Sequence, residues 1–520
     1  MSISFFYKAV FFVLCEFLFV LSVNAQEIAL TNNTPSAVYE FQLRGGIPNL
    51  LRKAKVADGR TIRVAYLGGS ITEASGWRVK TLAGFKTRFP GVNWVDINAG
   101  VGGTGSDLGV FRLKKQVLDE NPDLLFVEFA VNDGCNGYTQ RAMEGIVRQT
   151  WAYNSEIDII FVYTTNQTLL NDIKTGTTSC VITNMDAIAN HYTIPSINFG
   201  VEVQRLITAG EVVWKAPATK GEDVFTSDGT HPTNLGHDVY ASIVKRAFDE
   251  FLKAPAQTNS VPHALNTALN ANHWADAKMV PVRQDMLIGT WNKSTTGSTG
   301  IDNARRFSRW VSDIWYTNTA GSKLNLQFKG VVVGFLDILG PEGCLIRWKV
   351  NTGSESVITR FDKFSTSSRA HYFFPSTGLN NDVVSSCSAT LDANNPSKRD
   401  ILDEAGKVAD YDANPAKYAS KVWYVGAVLM VGEEMKTSVE DTNFDQAKVY
   451  PTSTFDRIYF ENLSEESKVI LVDMVGKNLM ERNASDLNNG LSLLRFESGL
   501  YIIKILQDKV LVQTLKVLKI

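Results

Sequence analysis

A serine, a histidine and an aspartate in this chain have the types and local settings that acyl-transfer chemistry requires. Ester hydrolysis by serine needs an exposed hydroxyl, a base, a group that orients the base, and donors for the oxyanion. Ser70 lies in Gly68-Gly69-Ser70-Ile71-Thr72, directly after a short apolar run. Its two glycines let the backbone bend tightly and let a substrate approach. Taken alone, the same residue reads as a helix N-cap. No Gly-x-Ser-x-Gly elbow lies near it, which argues against an α/β-hydrolase arrangement. His231 lies in Asp228-Gly229-Thr230-His231-Pro232 and is one of six histidines. His263, His273 and His371 fall outside the region of alternating strands and helices, and His191 and His237 fall on predicted helices. His231 sits on a turn with a carboxylate three residues earlier. Asp228 can reach back to the imidazole, set its tautomer and stabilise the imidazolium. The plainer alternative is an aspartate that caps the next helix.

Two further segments offer oxyanion donors. Asn132, in Ala130-Val131-Asn132-Asp133-Gly134, ends an apolar run. Its amide can point at a developing charge, or it can close an Asx turn. Between Asn98 and Ser106, Gly100, Gly102 and Gly105 have G-x-G-x-x-G spacing. A lone match of this kind is weak. It follows the second predicted strand, whereas the dinucleotide fingerprint belongs on the first turn of its unit. A glycine N–H facing an oxyanion is the better use.

The elements that must position these residues alternate between strand and helix. Ile62–Leu67 reads as a buried strand, and Val92–Asn98, Leu124–Ala130, Ile157–Tyr163 and Ile194–Phe199 as further strands. Between them run helical spacings, such as Val79, Leu82, Phe85 and Phe89, then Met143, Ile146, Val147 and Trp151. Val239, Ile243, Ala247 and Phe251 close the region as a helix. Repeated βα units imply a parallel sheet covered on both faces, with ligands outside the carboxyl ends of its strands.

Four blocks therefore occur in order at strand ends: Gly68-Gly69-Ser70-Ile71-Thr72, the glycine loop, Ala130-Val131-Asn132-Asp133, and Asp228–Pro232. The last continues as Thr233-Asn234-Leu235-Gly236-His237 and is the most specific. The region from about Ile62 to Leu252 resembles the SGNH (GDSL-like) hydrolase superfamily. The resemblance implies an α/β fold of the flavodoxin-like, three-layer type. It implies Ser70 as nucleophile, His231 as general base and acid, and Asp228 as its orienting partner. It implies an oxyanion hole from the N–H of Ser70, the N–H of Gly103 and the side chain of Asn132. It implies an acyl-enzyme and no metal or cofactor. Gly103, rather than Gly102, rests on a register counted from Asn98. The family's first block usually reads Gly-Asp-Ser, and here Gly69 replaces the aspartate, which alters the surroundings of Ser70 but not the triad. Glu73, Trp77 and Arg78 are candidates to line the site by proximity.

The chain has 520 residues, 44% apolar and 20% charged, with a net charge of −2. It is too long for one core, and its charge supplies no attraction to nucleic acid. Residues 1–25 read as a signal peptide: Lys8, an apolar run interrupted by Glu16, then Val23-Asn24-Ala25. Residues 26–255 are then the catalytic domain and 256–285 a linker rich in Ala, Asn, Pro and Thr. From about Met286 the hydrophobic period becomes two, as at Leu324, Leu326 and Phe328, which predicts a β-sandwich over 286–440. Within it, Asp392–Asn414 reads as an acidic loop. Residues 446–520 form a small β unit. Cys135, Cys180, Cys344 and Cys387 allow three pairings, the simplest being Cys135–Cys180 and Cys344–Cys387.

The β region, especially Leu336–Pro341, resembles jelly-roll modules attached to bacterial carbohydrate esterases. The tail, with Tyr450-Pro451, Asp456–Tyr459 and Ser498–Tyr501, resembles sorting domains of the Bacteroidetes type IX secretion route. Together these imply a secreted or outer-membrane-surface protein whose partners are an acylated carbohydrate and, through the tail, secretion machinery, with possible surface attachment. The expectation is an extracellular carbohydrate O-acetylesterase. Its rivals are an esterase or lipase for longer acyl chains and an inactive glycan-binding surface protein.

Overall fold

A computed structural model describes residues 38–520 apart from 57, 216–222, 256, 296–312, 436–446, 475 and 508–509. The expected signal peptide lies outside the described residues. The chain divides into two compact units: one holds Met1–Asn325, Gly330–Val383 and Ser388–Glu433, the other Leu326–Lys329, Val384–Cys387 and Glu434–Ile520.

The first unit opens with an α/β region. Its strands are β1 (Phe41–Gln42), β2 (Thr61–Gly68), β3 (Asn93–Gly100), β4 (Leu124–Glu128), β5 (Asp158–Tyr163) and β6 (Ser196–Asn198). Its helices are α1 (Pro48–Ala54), α2 (Ser70–Glu73), α3 (Trp77–Arg88), α4 (Ser106–Gln116), α5 (Gly137–Tyr153), α6 (Gln167–Lys174), α7 (Cys180–His191), α8 (Phe199–Thr208) and α9 (Asn234–Phe251). The sheet order is β1-β6-β5-β4-β2-β3, parallel except for the antiparallel edge strand β1. Numbering only the five parallel strands, the order is 2-1-3-4-5, the flavodoxin-like arrangement. The central strands are apolar almost throughout because helices cover both faces, whereas the edge strand β3 leaves Asn93, Val95 and Asp96 exposed. Leu124 to Glu128 and Asp158 to Tyr163 are buried at every position. One face packs Tyr66, Trp77, Phe126 and Phe199 edge-on or stacked at 5.1–5.7 Å between centroids. Each such fully buried side chain stabilises the fold by about 1.5–3 kcal/mol.

The segment expected as a linker is a strap bound to this region. Val261 N–H donates to Asn49 Oδ1 at 2.8 Å, His263 Nε2 lies 2.8 Å from the buried carboxylate of Asp158, and Leu269 N–H donates to Glu144 Oε1 at 2.6 Å. Buried carboxylates need donors, and the strap supplies them. It ends on Trp274, which is fully buried.

The antiparallel region begins earlier than its period-two pattern suggested, at β7 (Ala277–Pro281). It continues through β8 (Leu287–Ile288), β9 (Asn292–Thr295), β10 (Asp313–Thr317), β11 (Lys323–Leu339), β12 (Cys344–Val350), β13 (Ser356–Arg360), β14 (Arg369–Ser376), β15 (Val384–Leu391) and β16 (Trp423–Glu434). These ten strands form one hydrogen-bonded sheet system. Leu336, Ile338, Leu429 and Val431 join a single core with α4 and α5 of the α/β region.

The acidic stretch after β15 is not an open loop. It folds into α10 (Lys398–Glu404), α11 (Val408–Ala413) and α12 (Pro415–Tyr418). The Lys398 ammonium sits inside it, donating to the carbonyls of Pro341, Tyr418 and Ser420 at 2.9, 2.9 and 2.7 Å. Asp410 and Asp412 pair with Lys417 and Arg399.

The second unit carries β17 (Lys448–Tyr450), β18 (Ser453–Thr454), β19 (Arg457–Glu461), β20 (Lys468–Val472), β21 (Asn478–Asn483), β22 (Leu491–Ser492), β23 (Gly499–Gln507) and β24 (Val510–Lys519). They form a three-stranded and a five-stranded sheet around Ile458, Leu471, Leu493 and Ile503.

Cys135 and Cys180 are joined in a disulfide, as expected. Cys344 and Cys387 are free and buried, so the second expected bridge is absent. Burial pushes both thiols up to about 12, which keeps them protonated and inert.

Candidate active site

The site is built at the carboxyl ends of β2, β3 and β4. β2 ends at Gly68 and Ser70 is the first residue of α2, so the Ser70 N–H has no carbonyl one helical turn behind it. Ser70 Oγ lies 2.7 Å from His231 Nε2, and His231 Nδ1 lies 2.6 Å from Asp228 Oδ2. With Nδ1–H donating to the carboxylate, Nε2 presents its lone pair to the serine hydroxyl. Asp228 is itself held. Its Oδ1 accepts the N–H groups of Thr230 and His231, each at 2.8 Å, and the Thr226 hydroxyl at 3.2 Å. Burial alone would raise this carboxyl. Hydrogen bonds from the His231 ring, the His231 N–H and the Thr230 N–H outweigh it and hold the group well below the ordinary carboxylate range. The Asp228 and His231 side chains are 51% and 50% exposed. A pair this exposed contributes about 0–1 kcal/mol to stability, so what the contact supplies is orientation.

Gly103 and Asn132 are both exposed beside the serine turn. Among the described residues, neither the Gly103 N–H nor the Asn132 amide has a protein acceptor. The neighbouring Gly102 N–H is engaged: it donates to Glu73 Oε2 at 2.8 Å. Gly103 has φ +74°, and this left-handed turn leaves its own N–H out of that contact. The Asn132 side chain lies directly over Gly69, where an added Cβ would be 2.1 Å from Asn132 Oδ1.

The three candidates named by proximity part ways. Glu73 reaches the glycine loop, as described. Trp77 and Arg78 do not line the site. Trp77 is fully buried in the aromatic core. Arg78 is 4% exposed, pairs with Asp96 and donates to the Thr72 carbonyl at 3.3 Å. They face inward because α3 turns its apolar side, including Leu82 and Phe85, onto the sheet.

Two groups near the site were given no role by the sequence. Glu128, the last residue of β4, is fully buried beneath the serine turn. It accepts from the Thr164 hydroxyl at 2.5 Å, the Thr72 hydroxyl at 2.8 Å and the Gly69 N–H. Burial pushes its carboxyl up to about 7 against these hydrogen bonds. The available signal was a carboxylate closing an otherwise apolar strand. His237, one turn into α9, accepts the Trp77 N–H at 3.1 Å and so caps α3. Burial pulls its pKa down to about 4, so it stays neutral.

A serine, an imidazole and a carboxylate thus stand in one relay at the top of a 2-1-3-4-5 sheet. Residues 66–239 match the GDSL-like Lipase/Acylhydrolase family, and the chain carries a domain of that kind. The chain also has solved counterparts. A two-domain esterase active on acetylated mannans is similar to it at 18% identity, over 75% of this chain and 96% of that one, with TM-score 0.59. The same esterase co-crystallised with mannopentaose matches at 18% identity, over 76% and 100%, with TM-score 0.58. At this identity the likeness is one of fold. Comparison with curated protein sequences finds no match.

Proposed function

We propose that this protein is an exported serine esterase that removes O-acetyl groups from a polysaccharide through an acyl-enzyme. The relay from Asp228 through His231 to Ser70 carries the reading. His231 Nε2 takes the proton of Ser70 Oγ as that oxygen adds to the ester carbonyl. The negative charge on the carbonyl oxygen is met by the N–H groups of Ser70 and Gly103 and by the Asn132 amide. The imidazolium, steadied by Asp228, returns its proton to the departing sugar oxygen as the acyl C–O bond breaks. Water then repeats the sequence on the acyl-enzyme, releasing acetate and restoring Ser70.

The carbohydrate is supported by likeness of fold to an esterase active on acetylated mannans. Export is supported by the apolar N-terminal segment and the small C-terminal β unit. Hydrolysis of p-nitrophenyl acetate, butyrate and octanoate tests the chemistry, with Ser70→Ala as control. Acetate release from acetylated mannan and xylan tests the substrate. Acetate-selective turnover that vanishes in the variant is expected. Equal rates for the two proteins would refute the serine mechanism, and preference for octanoate would favour a long-chain esterase.

A further inference from the structure

We propose that Tyr372, on β14 of the antiparallel region, is a positioning residue that braces the oxyanion loop of the α/β region through Asp107 and the Gly105 N–H. The proposal rests on the reading of Gly103 as an oxyanion donor.

The brace is a hydrogen-bonded cluster behind the loop that carries Gly103. The Tyr372 hydroxyl donates to Asp107 Oδ1 at 2.7 Å, and the Gly105 N–H reaches the same hydroxyl at 3.4 Å. Asp107 lies in the first turn of α4, four residues beyond Gly103. From the other side, Asp133 Oδ1 accepts the Ser106 N–H at 2.8 Å. Asp133 directly follows Asn132, so this contact ties the second candidate donor to the loop of the first. The two carboxylates crowd Gly105: a Cβ there would lie 2.5 Å from Asp133 Oδ1 and 2.8 Å from Asp107 Oδ1. Burial raises the Asp107 carboxyl, and the bond from Tyr372 counteracts that rise. Burial and Asp107 together lift the Tyr372 phenol far above its ordinary range, so it remains a donor at any working pH.

The strand that presents Tyr372 is itself fixed. In the ladder with β11, Tyr372 stands opposite Leu336 and His371 opposite Asp337. Arg360 grips the buried Asp337 through two bonds of 2.7 and 2.8 Å and donates to His371 Nδ1 at 3.1 Å. Two residues on, Phe374 stacks on Phe111 of α4 at 5.7 Å. The antiparallel region thus grips α4 at its middle through Phe374 and at its start through Tyr372. A loop whose N–H must meet a charge that exists only in the transition state gains from being held in place beforehand.

The test uses the full chain with Tyr372→Phe, which removes only the hydroxyl, Asp107→Ala, which removes the acceptor, and Asp107→Asn, whose amide oxygen still accepts. Steady-state kinetics on p-nitrophenyl acetate separate kcat from KM. Hydrogen exchange reports on the peptide spanning 101–108. The expected result is a fall in kcat of about tenfold for Tyr372→Phe and Asp107→Ala, with KM within about twofold. Asp107→Asn should stay near wild type. Exchange should quicken over 101–108 in the first two variants only, with unchanged exchange in the strands of the parallel sheet. Unchanged kcat in Tyr372→Phe, or unchanged exchange over 101–108, overturns the brace. If wild type hydrolyses no ester, the esterase reading fails, and the exchange measurement still decides whether Tyr372 holds the loop.

Discussion

Asn132 and Gly69 touch so closely that no side chain fits between them: a Cβ on residue 69 would lie 2.1 Å from Asn132 Oδ1. The Asn132 side chain occupies the space that a side chain at residue 69 would take. Gly69→Ala should therefore push Asn132 aside. A fall in kcat of about 10²–10³-fold is expected on p-nitrophenyl acetate, with the circular dichroism spectrum unchanged. Wild-type turnover in this variant would show that Asn132 contributes nothing to catalysis.

Asp228→Asn keeps the shape of the turn but loses the preference for Nδ1–H. The imidazole is then free to present the wrong nitrogen to Ser70. A loss in kcat of about 10⁴-fold is expected. Because hydrogen bonds hold the Asp228 carboxyl low in the wild type, the variant's deficit should be the same from pH 6 to 9. A deficit that shrinks steadily with pH would point to a role other than orientation.

Glu128→Gln should change how stability depends on pH. Glu128 is raised from an ordinary 4.5 to about 7 in the fold. Below 4.5 both states hold the proton. Between 4.5 and 7 the folded state keeps a proton that the unfolded chain has lost, so stability falls as pH rises, by about 3 kcal/mol in all. His237, lowered to about 4, works in the opposite sense: the unfolded chain takes up its proton first as pH falls, so stability is lost downward from about 6.5. Subtracting the variant from the wild type cancels the histidine. Urea unfolding at pH 5, 6, 7 and 8 should show a slope in wild type that exceeds the variant's decline by about one proton's worth. Parallel curves would mean that Glu128 is already ionised at pH 5.

The bond between Cys135 and Cys180 closes a separation of 45 residues and pins the loop that carries Asn132. Its reduction should cost about 3–4 kcal/mol of unfolding free energy, measured in urea with and without a phosphine reductant. Peptide mapping supplies a second check. Iodoacetamide should label Cys344 and Cys387 only after unfolding, and Cys135 and Cys180 only after reduction. Labelling of Cys344 in the folded protein would contradict its burial.

Much of this was legible before any coordinates. β2, β4, β5 and β6 announced themselves as short apolar runs ended by glycine or a turn, because strands covered on both faces leave no polar alternation to obscure them; β3, at the sheet edge, is half exposed. The pair Asp228 and His231 was legible because only two turn residues, Gly229 and Thr230, separate them, and a turn is a local structure. Glu73 was named only by proximity, and nothing nearby predicted its bond to Gly102. Trp77 and Arg78 were misplaced because closeness in sequence to Ser70 says nothing about which side of α3 faces the core. The strap over 257–276 looked like a linker because its hydrogen-bond partners, Asp158 and Glu144, lie more than a hundred residues earlier.

By itself, then, the sequence determined the order of the strands along the chain, the serine turn and the histidine with its carboxylate, since each of these is written in a window of a few residues. The tertiary structure decided the rest. It left the N–H of Gly103 open and engaged that of Gly102, put Glu128 under the serine turn, paired two cysteines and left two free, and brought Tyr372 to Asp107 across 265 positions. Those outcomes depend on which surfaces pack together. Packing is settled by volume and burial summed over the whole chain, and no local pattern encodes that sum.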